Sequence, residues 1–341
     1  MRERAVDRLW ESSSGGARLV RTVLTPASWA YAAIVAARNA GYERGWLPSR
    51  ELALPAISVG NLTVGGTGKT PVAAFIASRL AARGSKPAIV MRGYGSDETL
   101  VHTRLNPGVP VFVAADRAAG VVQARAAGCT VAVLDDAFQH RRVKRDADIV
   151  LLAANVAGPV RLLPAGPWRE PFDSLARATL VVVTRKNATL DRAQELLSRA
   201  LRAAPAALGA IVHLAPDRLV AWPSGEILGA ATLSGKRVFA AAAIGDPHAF
   251  LAQLTETGAR VELVAEADHH AYSPKDAAAL ADRAKGVDVV VCTLKDAVKL
   301  GPVWPREAPP LWYLSQRVVV ESGALELDRV LATLAAPRPT N

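Results

Sequence analysis

Residues 55–84 read PAISVGNLTVGGTGKTPVAAFIASRLAARG, and this stretch decides the fold class. Its first part, PAISVGN (55–61), is a short apolar run of strand type. A glycine-rich turn follows, Gly65-Gly66-Thr67-Gly68-Lys69-Thr70. TPVAAFIASRLAARG (70–84) then sets apolar residues at helical spacing, with Gly84 as a stop. Strand, glycine loop and helix in that order are the context a P-loop requires. Backbone N–H groups of the turn and the helix N-terminus would cradle phosphate oxygens. Lys69 would reach the β/γ-phosphates of ATP, and Thr70 would ligate Mg²⁺. The common GxxxxGK[ST] pattern puts its first glycine at position 63. Here that residue is Thr63, and Gly65 and Gly66 restore the backbone freedom. Partitioning-type ATPases carry a lysine just before Gly-Gly; Val64 in that place argues against that group.

Working outward, strands and helices alternate. KPAIVMRGYG (86–95) is a strand and loop, a helix follows at 115–127, and TVAVLDDAF (130–138) is a buried strand. ADIVLLAA (147–154) and ATLVVVTRK (178–186) are further strands, with the proline-rich loop LLPAGPWREP (162–171) between them. LDRAQELLSRALRAA (190–204) is a helix. Continuous apolar strands alternating with helices indicate a mostly parallel sheet covered on both faces. Residues 211–235 read as an irregular link. A second, smaller α/β unit then runs from KRVFAAAAIGD (236–246) through a helix (247–258), a strand (260–265), a helix (274–284) and VDVVVCTL (287–294) to PLWYLSQRVVV (310–320). The organisation is thus an N-terminal segment (1–48), a P-loop domain (49–210), a linker (211–235) and a C-terminal α/β domain (236–341).

TVAVLDDAF ends in Asp135-Asp136, and a carboxylate at the carboxyl end of a core strand is where a P-loop enzyme holds Mg²⁺. Two adjacent carboxylates are costly there without a cation beside them. The basic run after them, Gln139-His140-Arg141-Arg142 and Lys144-Arg145, is either a solvated face or a contact for an anionic acceptor.

Composition bounds the remainder. The chain has 341 residues, a net charge of +10, 50% hydrophobic and 5% aromatic residues, and two cysteines. Cys129 and Cys292 are too few for a disulfide framework or a four-cysteine zinc site, and they fit a reducing cytosolic compartment. The positive charge favours an anionic partner. Basic and aromatic residues do not interleave, so nucleic acid is not that partner. Thr22–Ala37 carries no charge over 16 residues, short of the ~20 a spanning helix needs. Pro26 falls near its start, and no signal-peptide cleavage pattern follows it. Arg18, Arg21, Arg38 and Arg44, with Trp10, Trp29 and Trp46, suit an interfacial helix; a plain packing helix is the alternative.

ISVGNLTVGGTGKTP, MRGYG, LDDAFQHRRVKRDADIVLL, LLPAGPWREP, ADHHAY and TLKDAVKL occur in this order. Together they closely resemble the tetraacyldisaccharide 4'-kinase family of the lipid A pathway in Gram-negative bacteria. The resemblance implies transfer of the ATP γ-phosphate to the 4'-hydroxyl of a tetraacyldisaccharide 1-phosphate, giving lipid IVA. It also implies a peripheral enzyme on the cytoplasmic face of the inner membrane, with a P-loop domain, a smaller α/β domain and an interfacial N-terminal segment. By the same resemblance Thr63, Gly65, Gly66, Thr67, Gly68, Lys69 and Thr70 bind ATP. Thr70, Asp135, Asp136 and Glu170 belong to the metal side. Asp97 is the acceptor-side base, helped by His269. Gln139, His140, Arg141 and Arg142 are candidates for the acceptor. Thr99 stands where the family has proline, Leu294 where it has glutamate, and Ala137 where it usually has glycine. A small-molecule P-loop kinase or ligase, or a nucleotide-switch ATPase, is the alternative from the residues alone.

Overall fold

A computed structural model describes residues 9–10, 12, 14–93, 96–155, 159–268 and 270–334. Its P-loop half contains β1 (Ala56–Asn61), β2 (Pro87–Met91), β3 (Val111–Val113), β4 (Val131–Asp135), β5 (Ala147–Ala153) and β6 (Leu180–Arg185). These are followed by β7 (Leu208–Trp222) and a short β8 (Ile227–Gly229). The C-terminal half adds β9 (Arg237–Ala242), β10 (Arg260–Ala265), β11 (Val289–Thr293) and β12 (Leu311–Ser322). The helices are α1 (Gly15–Glu43), α2 (Lys69–Ala81), α3 (Ser96–Leu105), α4 (Arg117–Ala126) and α5 (Leu190–Ala203). Then come α6 (Pro247–Glu256), α7 (Pro274–Arg283), α8 (Leu294–Leu300) and α9 (Ala324–Ala332).

All the strands belong to one sheet, in the order β10-β9-β11-β12-β7-β6-β5-β1-β4-β2-β3, with β8 beside β7. Two parallel blocks meet at a single antiparallel seam, where β12 pairs with β7 from Leu311↔Trp222 to Ser322↔Ile211. Residues 211–235 therefore differ from the irregular link that the sequence suggests. Pro216-Asp217-Arg218 breaks the apolar alternation, which hides a strand of 15 residues. Pro216 lies beside a register shift of the ladder, a place where a strand tolerates proline.

The inner strands are buried on both faces; β1, β2 and β4 have no exposed residue. On one face α2 packs Val72, Ile76 and Leu80 into the same core as Leu327, Val330 and Leu331 of α9. The last helix thus returns from the C-terminal half to cover the P-loop half. Arg79 and Arg83 both grip its Asp328, Arg79 at 2.7 Å. On the other face lie α4, through Val121 and Ala124, and α5, through Ala193 and Ala200.

Helix α1 also departs from the sequence expectation. It starts at Gly15, capped by the Ser14 hydroxyl, so Pro26 is interior rather than near the start. The uncharged stretch is one part of a 29-residue helix, which is long and apolar enough to cross a membrane by length and composition. Only Arg21, Ser28, Val35 and Gly41 of it are buried. Ser28 Oγ donates to Leu162 O at 3.0 Å and accepts from Ala165 N at 3.1 Å. Tyr31 donates to Arg169 O at 2.9 Å, so α1 lies along the proline-rich loop. Outward, Trp29 and Ile34 are 70% and 68% exposed.

The shared core of α2 and α9 makes a measurable claim. Leu331→Ala removes a fully buried side chain and should cost about 2–5 kcal/mol in urea unfolding. A loss below about 0.5 kcal/mol, the level of an ordinary surface change, would mean that α9 is not part of that core.

Candidate active site

β1 brings Asn61 to the carboxyl edge of the sheet, and the chain turns there into α2. The Asn61 side chain is fully buried and latches the turn. Its Nδ2 donates to Thr67 Oγ1 at 2.8 Å and to Thr63 Oγ1 at 3.3 Å, while its Oδ1 accepts from Lys69 Nζ at 3.1 Å. The Asn61 carbonyl accepts from Gln139 Nε2 at 2.9 Å. Thr184 of β6 donates to Thr67 O at 2.9 Å and pins the far side of the loop. Gly65, Gly66 and Gly68 have φ of 80°, 46° and 80°, a region open to glycine and strained for other residues. A Cβ on Gly68 would also lie 2.4 Å from Leu214 Cδ1.

Burial pushes the Lys69 ammonium below its ordinary pKa, against the pull of Asp136. Asp136 Oδ1 lies 3.7 Å from Lys69 Nζ. Arg169 Nη1 donates to both Asp136 oxygens, at 3.0 and 2.9 Å. Burial alone would raise the Asp136 carboxyl; Lys69 and Arg169 outweigh it and hold the group below its usual value. Asp136 sits at φ 50°, tied by its N–H to Val59 O at 2.9 Å. Arg169 is aimed by backbone pairing. Val64 N donates to Pro167 O at 2.8 Å, and Arg169 N donates to Leu62 O at 2.7 Å.

Asp135 ends β4 and is 5% exposed. His102 Nε2 of α3 lies 2.8 Å from its Oδ2. Its Oδ1 is buried and has no hydrogen-bond partner among the described residues. Arg117 Nη2 donates to its backbone carbonyl at 3.2 Å. Among the described residues no group of three His, Cys, Asp or Glu side chains could hold a metal by itself. That suits Mg²⁺, which keeps several waters and takes one or two carboxylates plus substrate phosphates. The free Asp135 oxygen and the Thr70 hydroxyl on the first turn of α2 fit such a partial site.

A cleft of about 1900 Å³ runs over these groups. The glycine loop, Lys69, Thr70, Asp135, Asp136 and Arg169 form its floor, while Asp246, Asp268 and Lys295 of the C-terminal half face them. Arg18, Arg21 and Thr25 of α1 line one end.

Asp97 occupies the first turn of α3, a helix that the polar sequence SDETLVHTRL does not announce. Asp97 is buried, and Lys299 Nζ of α8 lies 4.0 Å from its Oδ2. Asp97 itself is not among the residues lining the cleft, whereas its neighbour Glu98 is. His269 lies outside the described residues; Asp268 before it reaches the cleft.

Two expectations need correction. Glu170 is fully buried, with its carboxylate occupied by Arg38 at 3.1 Å, Asn39 at 3.0 Å and Arg177. It anchors α1, both its oxygens already accept hydrogen bonds, and it does not line the cleft. Gln139, His140, Arg141 and Arg142 do not line the cleft. Gln139 supports Asn61, and Arg141 donates to Asn39 O at 3.1 Å and stacks on Tyr42. Burial and the Arg117 charge lower the His140 pKa. The Arg142 carbonyl accepts from Arg50 N. The basic run therefore braces α1 and residues 49–51 ahead of β1 instead of meeting an acceptor. Asn61, His102 and Arg169 are the groups that sequence reasoning missed. Arg169 and Asn61 left a signal, their places inside PWREP and ISVGNLTVGGTGKTP; His102 left none.

A strand-to-helix glycine loop, a buried lysine and two strand-end aspartates under one cleft define a P-loop phosphotransferase. A family model described as Tetraacyldisaccharide-1-P 4'-kinase matches residues 20–107 and 96–335. A tetraacyldisaccharide 4'-kinase of Geobacter sulfurreducens is 35% identical over 94% of this chain and 96% of its own length. One from Halorhodospira halophila is 39% identical over 85% of this chain and 86% of its own. The crystal structure of LpxK from Aquifex aeolicus in complex with ATP superposes with a TM-score of 0.71 at 26% identity, covering 93% of this chain and all of that one. The chain belongs to the tetraacyldisaccharide 4'-kinase family, an ATP-dependent kinase family of lipid A biosynthesis. That membership takes precedence over the small-molecule kinase and nucleotide-switch alternatives.

The Asn61 latch can be tested directly. Asn61→Ala removes the hydrogen bond to the Lys69 ammonium, and bonds to charged groups are worth ~1.5–3 kcal/mol. The dissociation constant for ATP, measured calorimetrically, should rise ~10–100-fold with circular dichroism unchanged. An unchanged constant would show that the loop holds its shape without Asn61.

Proposed function

We propose that this chain transfers the γ-phosphate of ATP to the 4'-hydroxyl of a tetraacyldisaccharide 1-phosphate, giving lipid IVA, while held at the cytoplasmic face of the inner membrane. The observation that carries this reading is the continuity of the cleft from the glycine loop to α1, whose outer face exposes Trp29 and Ile34. A lipid acceptor needs its sugar at the phosphate loop and its acyl chains in an apolar phase. The N-terminal arginines at the cleft end suit its 1-phosphate.

Lys69 neutralises charge on the transferring phosphoryl group, and the turn N–H groups hold the other phosphates in line. Thr70 and the free Asp135 oxygen would hold Mg²⁺, which would supply neutralisation of phosphate charge. Asp136, fixed by Arg169, keeps Lys69 charged in its buried place. Asp97 accepts the proton of the sugar hydroxyl, with Lys299 Nζ 4.0 Å from its Oδ2. His269 helps Asp97 from the C-terminal half.

The direct test is transfer of labelled γ-phosphate from ATP to the tetraacyldisaccharide 1-phosphate in mixed micelles, with Lys69→Ala as the inactive control. Asp97→Asn should lower kcat about 10²–10⁴-fold, with little change in KM for ATP. Glu98→Gln separates the two carboxylates: a larger loss there than at Asp97 would move the base to Glu98. For the membrane face, Trp29→Glu combined with Ile34→Glu removes two apolar contacts worth about 1.5–3 kcal/mol each. Partition into anionic vesicles should fall at least ~10-fold. ATP affinity should hold, and unchanged partition would leave α1 as a packing helix.

A further inference from the structure

Helix α3 carries a second polar side chain into the protein. His102 is fully buried, and its one hydrogen bond among the described residues is from Nε2 to Asp135 Oδ2 at 2.8 Å. Its Nδ1 is buried with no hydrogen-bond partner among the described residues. A buried imidazole with one ring nitrogen unsatisfied is a poor stabiliser, because the bare nitrogen has lost its water. An apolar side chain would fill the site at less cost. The bond it does make is specific. A carboxylate only accepts, so Nε2 carries the hydrogen and donates. The other carboxylate oxygen, Oδ1, is left buried and without a partner at the floor of the cleft.

We propose that His102 is a positioning residue for the metal: by holding Asp135 Oδ2 it fixes the carboxylate with Oδ1 presented to the divalent cation that accompanies ATP. This rests on the kinase reading above and extends it to a residue that touches neither nucleotide nor acceptor. A hydrogen bond of this kind sets the angle of a ligating carboxylate and keeps it from rotating away. The same helix carries Asp97 on its first turn, five residues earlier and ~7.5 Å along the axis. One rigid element therefore sets both the base and the metal carboxylate.

The experiment measures Mn²⁺ affinity by electron paramagnetic resonance on the full chain saturated with a non-hydrolysable ATP analogue. Nucleotide affinity without metal is measured in parallel. His102→Phe keeps a ring of similar size and removes the donor. Loss of an outer partner of this type costs about 10–100-fold in metal affinity. That loss is expected with metal-free nucleotide affinity unchanged, and His102→Gln, which retains a donor, should recover most of it. Wild-type Mn²⁺ affinity in folded His102→Phe overturns the proposal. If the phenylalanine variant does not fold, ¹⁵N spectra of the wild-type histidines decide. The proposal requires His102 protonated on Nε2, with a resonance that moves when metal is added to the nucleotide complex. A resonance indifferent to metal overturns it. Absence of any nucleotide-dependent Mn²⁺ site in the wild-type chain would instead remove the kinase reading on which the proposal rests.

Discussion

A lysine ammonium held largely out of solvent at the head of α2 is the constraint from which the site follows. Burial of Lys69 disfavours its charge, and the fold answers with the Asn61 side-chain Oδ1 at 3.1 Å and the Asp136 carboxylate at 3.7 Å. Each answer makes a further demand. Asn61 can face the lysine only if its amide nitrogen is satisfied, which Thr67 and Thr63 provide from within the glycine loop. Asp136 can face it only by turning out of β4 into the left-handed region, and Arg169 holds it there with a bidentate pair. The loop's shape, the aspartate's strain and the arginine's position are one problem solved together.

Arg169 and Glu170 are consecutive and face opposite tasks. Arg169 points at the phosphate floor, while Glu170 is buried under Arg38, Asn39 and Arg177. An uncompensated buried carboxylate would be strongly destabilising, so the α1 contacts are as obligatory for Glu170 as Glu170 is for α1. Backbone pairing of Pro167 and Arg169 with Val64 and Leu62 sets the register of both side chains at once. Tyr31 ties α1 to the backbone of the same arginine that fixes Asp136.

The sequence carried the parts of this design that have a period or a fixed spacing. Parallel strands, the glycine loop and the strand-end aspartates were legible because burial writes apolar runs and phosphate binding writes glycines. The parts that were not legible are long-range pairings. Nothing in IVHLAPDRLVAW shows that it will pair antiparallel with LWYLSQRVVV, since the proline and two charges fall where the ladder shifts register. Nothing local distinguishes a glutamate that binds metal from one that anchors a helix, because the distinction lies in Arg38 and Asn39, 131 or more residues away. His102 looks like an ordinary polar residue until Asp135 is placed beside it.

The seam between β7 and β12 bears on how the two halves cooperate. A flexible tether at 211–235 would let them reorient freely, and closure would then depend on the ligand alone. Backbone pairing of residues 211–222 with β12 instead fixes the C-terminal strands as an extension of the P-loop sheet, and α9 packs across both halves. The opposing cleft walls are then preset, with Asp246, Asp268 and Lys295 facing the glycine loop. Lys299 of α8, 4.0 Å from Asp97, joins the same frame. Any adjustment for an acyl-sugar acceptor has to come from twist of the sheet and from the loops at its carboxyl edge. Free rotation of the halves would part Asp246 and Lys295 from the glycine loop they face.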